Sequence, residues 1–153
     1  MARICGIDPG AGGALALLDD DRLVEVIDMP IIEIRGKRKI NASALVDIAI
    51  RFNADLTIIE EVGVMPGQGI VSGFNFGYGA GLLEGVHAGL GRSIVLVRPN
   101  IWKKAAGVPA DKGAARQMAA RLWPDSASQF ARVKDDGRAE AALLARWQKS
   151  RLN

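Results

Sequence analysis

Five carboxylates stand where they can do chemistry. Asp8 closes the apolar run Arg3-Ile4-Cys5-Gly6-Ile7, and Glu60 and Glu61 close a second run, Leu56-Thr57-Ile58-Ile59. Asp136 and Glu140 lie four apart, ahead of a small and apolar stretch, and so share one side of a helix. Carboxylate oxygens suit hard divalent cations, and a pair of such ions can activate water and stabilise the leaving oxygen of a phosphodiester. Each acid also has an ordinary reading. Asp8 precedes Pro9-Gly10 and can cap a turn. Asp135 and Asp136 suit a helix N-terminus, where the dipole favours negative charge. Glu140 suits it less, because like charges at this spacing repel.

The cations fall in two groups. Arg35, Lys37, Arg38 and Lys39 form one; Arg98, Lys103, Lys104, Lys112, Arg116 and Arg121 form another, opposed within that span only by Asp111. The net charge is only +3 at pH 7. It is therefore the clustering, more than the total, that points to a phosphate backbone as partner. Cys5 is the only cysteine, which excludes a disulfide framework and a cysteine metal site. His87 is the only histidine, which excludes a histidine-based one.

The elements that must hold these residues are legible in outline. Strands are expected at about 2–8 and 13–18 and at Leu23 to Ile27, joined by the Gly10 to Gly13 turn and by Asp19-Asp20-Asp21. Such short connections make the three antiparallel neighbours. Residues 31–40 read as a loop or hairpin, and Asn41 caps a helix to Phe52. The strand that follows, from Leu56, returns parallel to the first, so that the acids ending both meet at one sheet edge. Only one of Glu60 and Glu61 can face the side of Asp8.

Ten of the chain's 18 glycines lie between Gly63 and Gly91. Residues 63–69 read as a mobile loop. Gly73, Gly77, Gly81, Gly85 and Gly89 then recur every four residues, leaving one side of a helix bare for the sheet or for a second copy of the chain. The aromatics Phe74, Phe76 and Tyr78 at its start read as core. A strand at 93–97 follows, then a helix containing Trp102, a helix capped by Asp111 and running to about Trp123, a polar loop over 124–133, and a last helix through Trp147. The expectation is a single α/β domain over residues 1–153. No apolar run nears the ~20 residues that cross a bilayer, and no leader pattern precedes the first strand, so a cytoplasmic protein without membrane contact is expected.

Gly6-Ile7-Asp8-Pro9-Gly10, Ile59-Glu60-Glu61-Val62, the basic segment with Lys103-Lys104, Gly107 and Lys112, and Asp136-Gly137-Arg138-Ala139-Glu140-Ala141 occur in that order. Together they resemble the motifs of RuvC-type Holliday junction resolvases of the RNase H-like superfamily, particularly the phage-type members. The resemblance implies an RNase H-like fold: a five-stranded mixed sheet, three strands antiparallel and two parallel, with helices on both faces. It also implies a homodimer that hydrolyses phosphodiesters in four-way DNA junctions, in a bacterial cell or, if phage-encoded, in the host cytoplasm. Asp8, Glu60, Asp136 and Glu140 would hold two Mg²⁺ or Mn²⁺ ions, and Glu60 is selected over Glu61. Lys112 would neutralise charge on the reacting phosphate. Lys103, Lys104, Arg116, Arg35, Lys37, Arg38 and Lys39 would hold backbone phosphates. The family commonly spaces its last two acids by three, against four here, which leaves Asp135 as an alternative to Asp136. Cellular members carry an aromatic wedge shortly after the second acid, where this chain has Gly63 and Val64; Phe74, Phe76 and Tyr78 are candidates to substitute for it, although aromatics at a helix start are more often core. Three other readings compete: a nuclease for flaps, forks or RNA-containing duplexes, a junction-binding module without turnover, and a phosphotransferase of the actin–hexokinase type, which needs two such domains where 153 residues hold one.

Overall fold

The computed structural model describes residues 2–152. In chain order the strands and helices are β1 (Arg3–Asp8), β2 (Ala14–Asp19), β3 (Arg22–Asp28), β4 (Ile31–Ile34), β5 (Lys37–Ile40), α1 (Ala42–Phe52), β6 (Leu56–Glu60), α2 (Ile70–Gly89), β7 (Ser93–Val97), α3 (Pro99–Ala105), α4 (Lys112–Leu122) and α5 (Asp136–Ser150). The main sheet has the order β3-β2-β1-β6-β7. β1 pairs antiparallel with β2 and parallel with β6, which is the mixed RNase H-like arrangement. No helix among the described residues is long and apolar enough to cross a membrane.

Side-chain alternation divides the core into two layers. Ile4 of β1 and Ile58 of β6 face α5, with Trp102, Ala141 and Leu144 in the same cluster. Cys5, Ile7 and Ile59 face the other way, onto Leu45, Ile48 and Phe52 of α1 and Leu83 of α2. Burial pushes the Cys5 thiol up to about 12. The same parity carries Asp8 and Glu60 to the α5 side.

α5 lies unusually close to the sheet. A Cβ on Gly6 would come within 2.2 Å of the Ala141 carbonyl oxygen and 2.9 Å of Ala145 Cβ. On the same helix, a Cβ on Gly137 would meet Asp8 Oδ2 at 3.0 Å. Helix backbone rests directly on the strand that bears Asp8, and Glu140 lies between these two contacts in sequence.

The expected caps form. Asn41 Oδ1 accepts from the Ala44 N–H at 3.2 Å, and Asp111 Oδ1 from the Ala114 N–H at 2.7 Å. Residues 31–40 form a hairpin, with Arg35 and Gly36 both at positive φ at its tip. Three expectations change. The segment 124–133 is largely 3₁₀ turn and not polar loop, and its Phe130 is buried beside Trp123. Phe74 and Tyr78 are 70% and 57% exposed and so are not core residues. The glycine ridge turns away from the sheet: Gly79, Leu83 and His87 are the buried residues of α2, while Gly77, Gly81, Gly85 and Gly89 face open space. His87 is structural, its Nδ1–H donating to the Leu83 carbonyl at 2.8 Å.

The two kinds of glycine should respond oppositely to alanine. Gly6→Ala must push α5 off β1 and is expected to cost about 1–3 kcal/mol, as overpacking does. Gly81→Ala meets nothing and should gain up to about 1 kcal/mol of helix propensity. Urea unfolding of the two variants reads both, and equal shifts would contradict the packing described.

Candidate metal and phosphodiester site

Parity and register build this site from the strands outward. β1 and β6 run parallel with Gly6 opposite Ile58 and Ile7 opposite Ile59. One step further, Asp8 lies beside Glu60, both toward α5. Glu140, from the first half of α5, completes the group: a carboxylate oxygen from each of Asp8, Glu60 and Glu140 lies within 4.8 Å of the others. Glu61 points away, is exposed, and approaches Arg98 at 3.7 Å.

Three like charges this close oppose one another, and their surroundings show it. Burial holds the Asp8 carboxyl well above the usual carboxylate range, and the charges of Glu140 and Glu60 add to the rise; Lys103 and Lys112 oppose it. Glu60 is raised by burial as well, against a hydrogen bond from Trp102 and the charge of Lys103. The indole Nε1–H of the fully buried Trp102 donates to Glu60 Oε2 at 2.8 Å. Lys103 Nζ reaches Glu140 Oε1 at 3.0 Å and Glu60 Oε2 at 3.8 Å. Burial works against the charge on Lys103, but Glu140, Glu60 and Asp8 outweigh it and raise its pKa.

All three donors are carboxylates, converged and under-compensated, which suits a hard divalent cation of the Mg²⁺ or Mn²⁺ type. Asp8, Glu60 and Glu140 would hold it. Trp102 fixes one oxygen of Glu60, the part an outer-shell donor plays in metal sites generally.

The remaining expected residues fall elsewhere. Asp136 is outside the converged group and pairs with Arg116 Nη1. Arg116 also donates to the Val133 carbonyl at 3.4 Å, so it has two protein partners. Asp135, the alternative ligand, is buried and bound by Arg132 through its backbone N–H at 2.9 Å and its guanidinium at 2.8 Å. Lys103, expected on DNA phosphates, sits among the carboxylates. Lys104 and Lys112 are exposed. So are Arg35, Lys37, Arg38 and Lys39 on the β4–β5 hairpin, which folds toward the site: Arg38 Nη2 donates to the Ala11 carbonyl at 3.3 Å. Trp102 is the residue that sequence reasoning missed. Its only advance signal is that a buried indole N–H needs an acceptor.

No family model matches the chain. Nor does any curated protein sequence. Solved structures do match in fold. Thermus thermophilus RuvC in complex with a Holliday junction substrate aligns with a TM-score of 0.71 and 16% identity, over 100% of this chain and 97% of that one. The fowlpox virus Holliday junction resolvase aligns at 0.63 and 15%, over 99% of each chain. The yeast mitochondrial Holliday junction resolvase aligns at 0.54 and 14%, over 96% of this chain and 80% of that one. The fold is thus RuvC-like along the whole chain.

The raised carboxyls make a stability prediction. A carboxyl whose pKa is raised by folding contributes stability that is full below about pH 4, its unfolded value, and lost as pH rises through its folded value. At neutral pH the acids therefore destabilise the fold. Asp8→Asn should melt several degrees above the parent at pH 7 without divalent metal, with the gap closing toward pH 4. Saturating Mg²⁺ or Mn²⁺ should stabilise the parent, by about 2.7 kcal/mol at a hundred times Kd, and leave Asp8→Asn unmoved. Trp102→Phe keeps an aromatic ring but removes the donor to Glu60. It should weaken metal binding about 10–100-fold in the same thermal titration.

Proposed function

We propose that this chain is a structure-specific DNA endonuclease that resolves four-way junctions by metal-dependent paired phosphodiester hydrolysis, of the phage-type branch its motifs resemble. One observation carries the reading: Asp8, Glu60 and Glu140 converge at the strand ends of a sheet whose fold matches junction resolvases over the full chain. Two of the similar structures contain Holliday junction DNA.

In this mechanism Asp8, Glu60, Asp136 and Glu140 would hold two divalent ions, which would supply activation of water and stabilisation of the leaving oxygen. The chain's own residues do the rest. Asp8, Glu60 and Glu140 orient the reacting phosphate's surroundings from three different elements. Asp136, one turn before Glu140, is the fourth acid of the proposal, drawn from its pair with Arg116 as that guanidinium turns to a DNA phosphate. Lys112, close enough to lower the Asp8 pKa, meets charge developing on the phosphate. Lys103 serves first as counter-charge to Glu60 and Glu140, and then contacts phosphate. Lys104 and the hairpin cations Arg35, Lys37, Arg38 and Lys39 hold the backbone without reading sequence.

A homodimer supplies two sites for paired nicks. The open face of α2 supports it, since Gly77, Gly81 and Gly85 would let a second backbone approach. Beside it stand the exposed Ile70 and Phe74.

The test is cleavage of a labelled four-way junction in Mg²⁺ and Mn²⁺, beside a flap, a fork and a linear duplex. Symmetric nicks in the junction are expected. They should disappear in Asp8→Asn and Glu140→Gln, and slow about 10²–10³-fold in Lys112→Ala, the range seen when one transition-state donor is removed. Preferential cutting of the flap or fork would move the function to general branch processing. Binding without cutting in either metal would overturn the catalytic assignment.

A further inference from the structure

α5 begins over a row of residues that crosses three strands. Asp8 of β1 stands opposite Ala14 of β2, and Ala14 opposite Asp28 of β3. Directly opposed residues point to the same face of a sheet, so Asp8 and Asp28 end this row on the side that α5 covers. The first turn of the helix meets both ends. A Cβ on Gly137 would lie 3.0 Å from Asp8 Oδ2 and 2.9 Å from the Gly12 carbonyl oxygen. Arg138, the next residue, forks onto Asp28, with Nε 2.7 Å from Oδ1 and Nη2 2.9 Å from Oδ2. Its Nη1 donates to Gln129 Oε1 at 2.7 Å, and the buried Asp135 lies 3.8 Å from Nε. The end of β3 is itself tied to the turn beside Asp8, the Met29 N–H donating to the Gly13 carbonyl at 2.9 Å. Nothing in the chemistry proposed above uses this arginine.

Arg138 and Glu140 are two residues apart, about 200° around a helix of 3.6 residues per turn. They therefore leave α5 on nearly opposite sides, Arg138 toward β3 and Glu140 toward β1 and β6. A rotation of α5 that swings Glu140 away from Asp8 and Glu60 must also drag Arg138 off Asp28. Repulsion among three carboxylates favours that rotation whenever no cation joins them. We propose that Arg138 is a positioning residue for the acidic site: its pair with Asp28 fixes the rotation of α5 and holds Glu140 within reach of Asp8 and Glu60. The inference deepens the metal-dependent reading above and rests on it. Arginine suits the part, because its planar fork grips a carboxylate in one orientation where lysine offers a point charge. Asp28 is 60% exposed, so the pair adds little to stability. Its effect falls on binding, since a ligand held in place beforehand lowers the cost of capturing an ion.

Two measurements test this. In the first, Mn²⁺ is titrated into the DNA-free protein and the free ion is followed by its electron paramagnetic resonance signal. Asp28→Ala, at an exposed position, and Arg138→Gln should each weaken binding about tenfold, the lower end of what outer-shell partners of a metal site cost. The double variant should lose no more than either single one, as groups that act as a pair do, and Arg138→Lys should recover part of the loss. Unchanged Mn²⁺ affinity beside a lowered melting temperature would make the arginine merely structural and overturn the proposal, as would fully additive losses. In the second, junction cleavage is measured against Mn²⁺ concentration. The half-saturating concentration should rise about tenfold in Asp28→Ala. A fall in maximal rate alone, with half-saturation unmoved, would overturn the proposal. The Mn²⁺ affinities falling as expected with no junction cleavage by the parent would remove the resolvase function and keep the role of Arg138. Cleavage by the parent with affinities equal across the variants would do the reverse, and a parent that binds no Mn²⁺ would overturn both.

Discussion

The approach of α5 to β1 sets the rest of the structure. Helix backbone can rest on the strand only because Gly6 has no side chain to meet the Ala141 carbonyl. That approach brings Glu140 over the strand ends where Asp8 and Glu60 already lie side by side. The hydrophobic layer of Ile4, Ile58, Leu144 and their neighbours holds the helix down against three carboxylates that repel. Apolar burial is thus converted into electrostatic compression at one edge of the sheet, which is the condition a divalent cation relieves.

The cations are distributed to match. Lys103 enters the acid group and offsets part of its charge, while Trp102 beside it pins one oxygen of Glu60. Arg116 takes Asp136, and Arg132 takes Asp135. Among the described residues the hairpin cations, Lys104 and Lys112 face solvent without an ion pair. Inner cations thereby shape the acids, and outer ones are left facing solvent.

Much of this was legible in the residues. Strand parity limits the partner of Asp8 to one of Glu60 and Glu61, the motif resemblance selects Glu60, and the crossover through α1 places β6 beside β1. Asn41 and Asp111 announce the helix starts they cap. What could not be read were pairings between elements far apart in sequence. Asp136 looks as available as Glu140 along the helix, and only the position of α4 shows that Arg116 reaches it. Lys103 and Lys104 are adjacent and chemically alike; the turn of α3 sends one into the acids and leaves the other exposed. The period-four glycines are plain, but which side of α2 is buried depends on Leu83 and His87 finding the sheet. Phe74 and Tyr78 carry core-type side chains on the other side.

Cys5 shares β1 with Asp8 and is sealed in the opposite layer, its thiol shifted so far that almost no thiolate forms at neutral pH. A thiol reagent reaches it only when the central strand is released from its neighbours. Because that same strand bears the first acid, the rate of labelling serves as a chemical clock for how long the acidic edge stays assembled. Any partner or ion that lengthens that lifetime should register on the clock without being seen directly.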